Sequence, residues 1–182
     1  MIDAHPILQT ERLVLRAFTL ADAPEVQRMA GDRDIASTTA VIPHPYDDGV
    51  AEAWIGSYDS EYAEGRRVNF AITRRADGIL VGCIGLGINR EHERAELGYW
   101  IGKPYWNQGI ATEAARAVIS YGFDTLKLHR IFAHYLTRNP ASGRVMSKAG
   151  MRYEGTLREH VLKWETFEDI ALHGVLARDW QS

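Results

Sequence analysis

The residues with the clearest chemical potential lie where a strand-like run meets a helix-like one. In "GYWIGKPYWNQGIATEAARAVISYGF", residues 98–101 are aromatic and β-branched, residues 111–123 are rich in helix formers, and residues 103–109 join them. A glycine turn feeding a helix start suggests an anion site, because the first N–H groups of a helix have no intrahelical partner. Two phosphate motifs are excluded. The P-loop needs Lys-Ser or Lys-Thr after its last glycine, and this turn continues with Ile110-Ala111. The dinucleotide fingerprint needs three spaced glycines after the first strand of a βαβ unit, and this strand comes late in a meander. Two readings stay open: a neutral backbone cradle over residues 106–112, or a helix whose glycine serves steric needs alone.

Other reactive side chains carry less. The sole cysteine, Cys83 in "ILVGCIGLG", reads as a small buried hydrophobe, rules out an intrachain disulfide and fits a reducing compartment. No metal site is expected. His129 and His134 are an odd number of residues apart on a strand, so they face opposite sides, and no Cys-rich or His-x-x-x-His spacing occurs. His160, beside Arg158 and Glu159, reads as a surface residue or a substrate contact. Trp54, Tyr58 and Tyr62 form an aromatic stripe that suits core packing.

The surrounding elements must hold the turn. "RLVLRAF" alternates as a strand, and "TLADAPEVQRMAG" reads as a helix with a cap at Thr19 or Asp22. Pro43 and Pro45 suggest a loop or broken helix over residues 32–49, and a single helix is expected from Val50 to its stop at Gly65. A three-strand antiparallel meander follows, with Asp77-Gly78 as a hairpin turn. In its third strand Leu97, Tyr99 and Ile101 face one way, and Glu96, Gly98 and Trp100 the other. Ala115, Val118, Ile119, Gly122, Phe123 and Leu126 then mark one stripe of a long helix. "HRIFAHYL" is a strand, Asn139-Pro140 starts a helix with Asn139 as cap, Gly150 stops it, and two antiparallel strands end the chain. The predicted order is β-α-α-β-β-β-α-β-α-β-β, a mixed α/β domain over residues 1–182.

The chain has 182 residues, 46% hydrophobic and 25% charged, with net charge −3. That composition suits one globular domain, and the absence of a basic run excludes nucleic acid as a main ligand. No apolar run reaches the ~18 residues of a membrane span. "MIDAHPILQTERL" lacks a basic start followed by an apolar core, so no secretory signal is read and a cytoplasmic location is expected.

"YWNQGIATEAARAVISYGF" resembles the acetyl-CoA-binding signature of the GNAT superfamily of N-acetyltransferases. The usual form is Gln/Arg-x-x-Gly-x-Gly/Ala, matched by residues 106–111 except that Trp106 replaces Gln or Arg. Tryptophan is ordinary there in the RimJ/RimL branch, which acetylates ribosomal-protein N-termini. "TERLVLR", "ELGYWI", "NPAS", "GMRYEGTLRE" and "FEDIALHGVLARDW" extend the resemblance over nearly the whole chain. It implies a mostly antiparallel twisted sheet flanked by helices, with acetyl-CoA as cosubstrate and no metal. The pyrophosphate would lie on the N–H groups of Gln108, Gly109, Ile110 and Ala111, with Thr112 adding a hydroxyl. The strand before the turn would splay and present Tyr99, Trp100 and Ile101 to the pantetheine.

The resemblance also supplies candidates for catalysis. Glu96, just before the thioester-binding residues, is the candidate base acting through water, or else a salt-bridged strand glutamate. In the RimJ/RimL branch the matching Asn-x-x-Ser brings a serine near the coenzyme sulfur, so Ser142 is the candidate proton donor to the thiolate and Asn139 a coenzyme contact. Tyr135 is a rival donor or a core residue. Acceptor identity should reside in residues 35–65 and in "KWETFED". The leading acceptor is a protein N-terminus; a small amine such as a polyamine or aminoglycoside, and a non-catalytic acyl-CoA-binding module, are the alternatives. A homodimer is a candidate assembly.

Overall fold

A computed structural model describes residues 5–39 and 41–181. Residues 1–4, part of the N-terminal stretch read for a signal, and Ala40, inside the expected loop, lie outside the described residues. Eight strands form one sheet in the order β1-β2-β3-β4-β5-β6-β8-β7. They are β1 (Leu8–Gln9), β2 (Leu13–Arg16), β3 (Arg67–Arg74), β4 (Leu80–Asn89), β5 (Arg94–Ile101), β6 (Arg130–Leu136), β7 (Arg152–Lys163) and β8 (Thr166–Leu176). Every pairing is antiparallel except β5 with β6. A parallel pair needs a crossover, and the helix after the glycine turn provides it.

The helices are α1 (Ala23–Ala30), α2 (Arg33–Thr38), α3 (Val50–Gly56), α4 (Tyr58–Ala63), α5 (Ile110–Asp124) and α6 (Pro140–Lys148). Each sheet face has its own core. On one, α5 and α6 cover Phe70, Ile84, Leu86, Leu97 and Ile131. On the other, α1, α2 and α3 cover Ala71, Leu80, Cys83 and Trp100. The two-sided alternation read in β5 is therefore realised, with Ala95, Leu97 and Ile101 in the first core and Trp100 in the second.

The structure differs from the sequence reading at three local points. The expected single helix from Val50 is two, because Gly56-Ser57 is a weak pair and the Ser57 hydroxyl donates to the Trp54 carbonyl at 2.8 Å. The region read as loop or broken helix holds α2, started by Asp32, whose side chain accepts from the Asp34 N–H at 2.8 Å. Asn139 does sit at the N-cap of α6, but its side chain makes no capping bond.

The entry to α1 depends on one carboxylate. Asp22 closes a 3₁₀ turn by accepting the Thr19 N–H at 2.8 Å, and Arg16 grips it with two bonds of 2.8 and 2.7 Å. Burial pushes the Asp22 carboxyl up, but the Arg16 and Thr19 bonds outweigh it and hold the group below the usual range. A carboxyl lowered on folding stabilises the native state above its unfolded pKa, and that contribution is lost as pH falls through the native value. Asp22→Asn is expected to cost about 1–3 kcal/mol in urea unfolding at neutral pH, by leaving Arg16 half-buried and unpaired. The gap to wild type should narrow below about pH 4. A gap that stays constant into acid would assign the effect to packing instead of charge.

Candidate active site

The site begins where two strands part. β5 pairs with β4 along its whole length, from Gly82↔Ile101 to Asn89↔Arg94. Along its other edge it meets β6 only at Arg94↔Arg130, Ala95↔Ile131 and Glu96↔Phe132. Beyond that point β6 stays with β8 as far as Leu136↔Ile170. Residues 97–101 thus turn an unpaired backbone edge into a wedge. A strand edge of this kind leaves backbone N–H and C=O groups for partners from outside the sheet. The wedge opens into a cleft of about 1040 Å³, lined among others by Glu96, Tyr99, Trp100, Ile101, residues 108–112, Asn139 and Ser142.

The glycine turn stands at the wide end. Gly109 has φ of +78°, a left-handed conformation, and is the N-cap of α5. The first intrahelical bond at this end is from Glu113 N–H to the Gly109 carbonyl at 3.0 Å, so the N–H groups of Ile110, Ala111 and Thr112 remain for a ligand. Trp106, the departure from the family signature, donates its indole N–H to the Ile101 carbonyl at 2.6 Å and ties the turn to the end of β5. Glu113 would oppose an anion at this helix start. Arg12 neutralises it, with Nε at 2.7 Å from the carboxylate, and also donates to the Gln108 carbonyl at 3.0 Å. The cradle fits a pyrophosphate: backbone donors, the positive end of a helix dipole and no competing carboxylate.

Two side-chain pairs line the wedge. In the first, Tyr99 and Ser142 hold their hydroxyl oxygens 2.7 Å apart, and the Tyr99 hydroxyl lies 3.2 Å from the Ser142 carbonyl. Burial pushes the Tyr99 phenol up to about 12, so it stays protonated and able to donate. Tyr135, the rival donor, packs partly buried against the core, with its ring 5.6 Å from that of His173.

In the second pair, at the narrow end, His134 Nδ1 lies 2.9 Å from Glu96 Oε1. The His134 bond lowers the Glu96 carboxyl below the carboxylate range against opposing burial, and the same bond raises the His134 imidazole. Arg67 adds to the lowering of Glu96, because Arg67↔Gly87 and Gly87↔Glu96 align across the sheet. His134 is the residue that sequence reasoning weighed only as a metal ligand. The signal for it was parity: Glu96 opposes Phe132, so His134, two residues on, shares its face.

The far wall is formed by Ile42, Tyr46, Trp54, Tyr58 and Glu61, within the expected residues 35–65. Trp54 and Tyr58 meet edge to face with centroids 4.7 Å apart, while Tyr62 turns to the other core and to His5, centroids 4.9 Å apart. The "KWETFED" hairpin tip does not line the cleft; it braces the wall. Lys163 donates to the Ile42 carbonyl at 3.2 Å and the Trp164 ring lies 5.8 Å from His44. Cys83 lies 5% exposed on the cleft floor, its thiol pushed up to about 12 by burial. His160 is exposed. Among the described residues no group of three or more His, Cys, Asp or Glu side chains is arranged to hold a metal ion, and no helix is long and apolar enough to cross a membrane.

Known proteins are similar to this chain in sequence and fold. The family model for an acetyltransferase (GNAT) domain matches residues 12–152. An uncharacterized N-acetyltransferase, YoaA of Bacillus subtilis (strain 168), is 34% identical over 94% of this chain and 97% of its own. The [ribosomal protein uS5]-alanine N-acetyltransferase of Escherichia coli (strain K12) is 26% identical over 95% of this chain and 92% of its own. A crystal structure of a GNAT-family acetyltransferase from Bacillus anthracis superposes with a TM-score of 0.84 at 28% identity, covering 95% of this chain and 99% of that one. A wedge between two parallel strands, a helix start ready for phosphate and a family model spanning most of the chain lead to one conclusion: this protein belongs to the GNAT family of acetyltransferases.

Proposed function

We propose that this enzyme moves the acetyl group of acetyl-CoA to the α-amino group of a protein N-terminus. The observation that carries the reading is the wedge itself, with a phosphate-ready helix start at one end and the Glu96–His134 pair at the other. Residues 108–112 would hold the pyrophosphate, and the free edge of residues 99–101 and Asn139 would hold the pantetheine arm. That course leads the thioester toward the point where β5 and β6 meet.

Transfer to an amine needs a neutral nucleophile and a proton for the departing thiolate. An α-amine has a pKa of ~8 and a lysine amine ~10.4, so the former needs only a modest base near neutrality. The Glu96–His134 pair is the proton-accepting unit. The Tyr99–Ser142 hydroxyls form the proton-donating unit, since a phenol raised by burial keeps its proton until sulfur gains charge. The sequence likeness to an enzyme named as a [ribosomal protein uS5]-alanine N-acetyltransferase supports a protein acceptor.

Peptides beginning with Ser, Ala or Thr are expected to be acetylated faster than spermidine or kanamycin at matched concentration, read as coenzyme A released. A preference for the small polycations would replace the protein N-terminus with a small amine, and no turnover with any amine would leave an acyl-CoA-binding module.

Ser142→Ala is expected to lower kcat by ~10²-fold, the lower end of what a positioned proton donor contributes. Acetyl-CoA affinity by calorimetry should hold within about threefold, because the hydroxyl bond strengthens only as the thiolate forms. A large loss of affinity with unchanged kcat would make Ser142 a binding residue only.

A further inference from the structure

The wedge holds a histidine that the family signature does not include. His134 lines the cleft two residues beyond the last β5–β6 pairing. Its Nδ1 is committed to Glu96 Oε1 at 2.9 Å, and Nε2 makes no hydrogen bond among the described residues. We infer that His134 Nε2 is the atom that takes the proton from the acceptor ammonium, and that Glu96 is a positioning residue that holds the ring and fixes its tautomer. The inference rests on the acetyl-transfer reading above, since it assigns the base of that reaction.

Chemistry favours the imidazole over the carboxylate. A carboxyl held below its ordinary ~4.3 is a poor acceptor for an ammonium of pKa ~8, a gap of more than three units. An imidazole raised above 6.5 closes most of it. The charged group acting on the ring is Glu96 from β5. β8 sets the apolar Leu172 opposite His134, and Arg67 from β3 acts on Glu96. Glu96 therefore does for Nδ1–H what a carboxylate does for any histidine base: it leaves the other nitrogen unprotonated and turned to the reactants.

The protons balance. One leaves the ammonium for Nε2, and the freed nitrogen lone pair forms the C–N bond at the thioester carbonyl. The C–S electron pair goes to sulfur, which takes a proton from the Tyr99–Ser142 hydroxyls, themselves refilled from water. The second nitrogen proton passes to water, so each ammonium acetylated releases one net proton.

Profiles of kcat against pH, with a Ser-starting peptide and acetyl-CoA saturating, test the assignment. Wild type should rise with pH through an inflection above 6.5. Glu96→Gln should keep that inflection but move it toward acid, because the anion that raised the imidazole is gone. His134→Asn should lose ~10²–10⁴-fold near neutrality and follow only the amine's own titration. The reverse pattern, with the inflection lost in Glu96→Gln and kept in His134→Asn, would make Glu96 the base. Nitrogen NMR of histidine-labelled full-length protein without substrate gives an independent readout. The neutral His134 ring should carry its proton on Nδ1, and its pKa should fall in Glu96→Gln. A proton on Nε2 overturns the inference. Should no α-amine react, the acceptor reading fails while the tautomer still decides the role of His134.

Discussion

Two strands that begin as neighbours and then separate organise this protein. β5 is tied to β4 at every residue, and β6 to β8 at every residue, so neither can bend to follow the other. Only residues 94–96 and 130–132 are shared. Past them, amide groups of β5 face a gap inside the protein. Unmet backbone groups in an interior are costly, so the gap suits a ligand that itself carries amides. The geometry of the remaining site follows from this divergence. Glu96 and His134 meet because they flank its vertex. Tyr99 reaches Ser142 because α6 follows β6 across the opening.

Charge differs between the two ends of the cleft. At the wide end the protein offers neutral donors, and it removes the one carboxylate that would interfere by pairing Glu113 with Arg12. Toward the narrow end charges alternate. Glu61 lies 3.5 Å from Arg67, Arg67 faces Glu96 across a glycine, and Glu96 holds His134. Such a row keeps the carboxylate ionised and the imidazole basic without leaving a bare charge near the reactants. A buried glutamate alone would drift upward in pKa and lose its hold on the ring.

Much of the site was legible in the residues themselves. Gly109 before a run of helix formers marks a helix start with free donors, whatever the rest of the chain does. Strict alternation in residues 95–101 assigns two faces because a strand has a period of two. Pro140 after Asn139 locates the start of α6, although the asparagine side chain makes no capping bond there. The helix from Val50 was misjudged because periodicity carried across Gly56-Ser57, where local hydrogen bonding breaks it. β1 has only two residues, too few to show any pattern.

Sequence alone determined the features that depend on neighbours along the chain: the turn, the helix start, the strand faces and the family signature over them. Tertiary structure alone decided the partners. Glu96 and His134 lie on strands separated by the whole of α5, and nothing local to either specifies the other. Their meeting depends on the register Glu96↔Phe132, which is set by how α5 packs its buried face over both strands. Parity along a strand is a local property, but register between strands is a property of the packed core. A shift of one residue would send His134 to the opposite face and leave Glu96 without its ring.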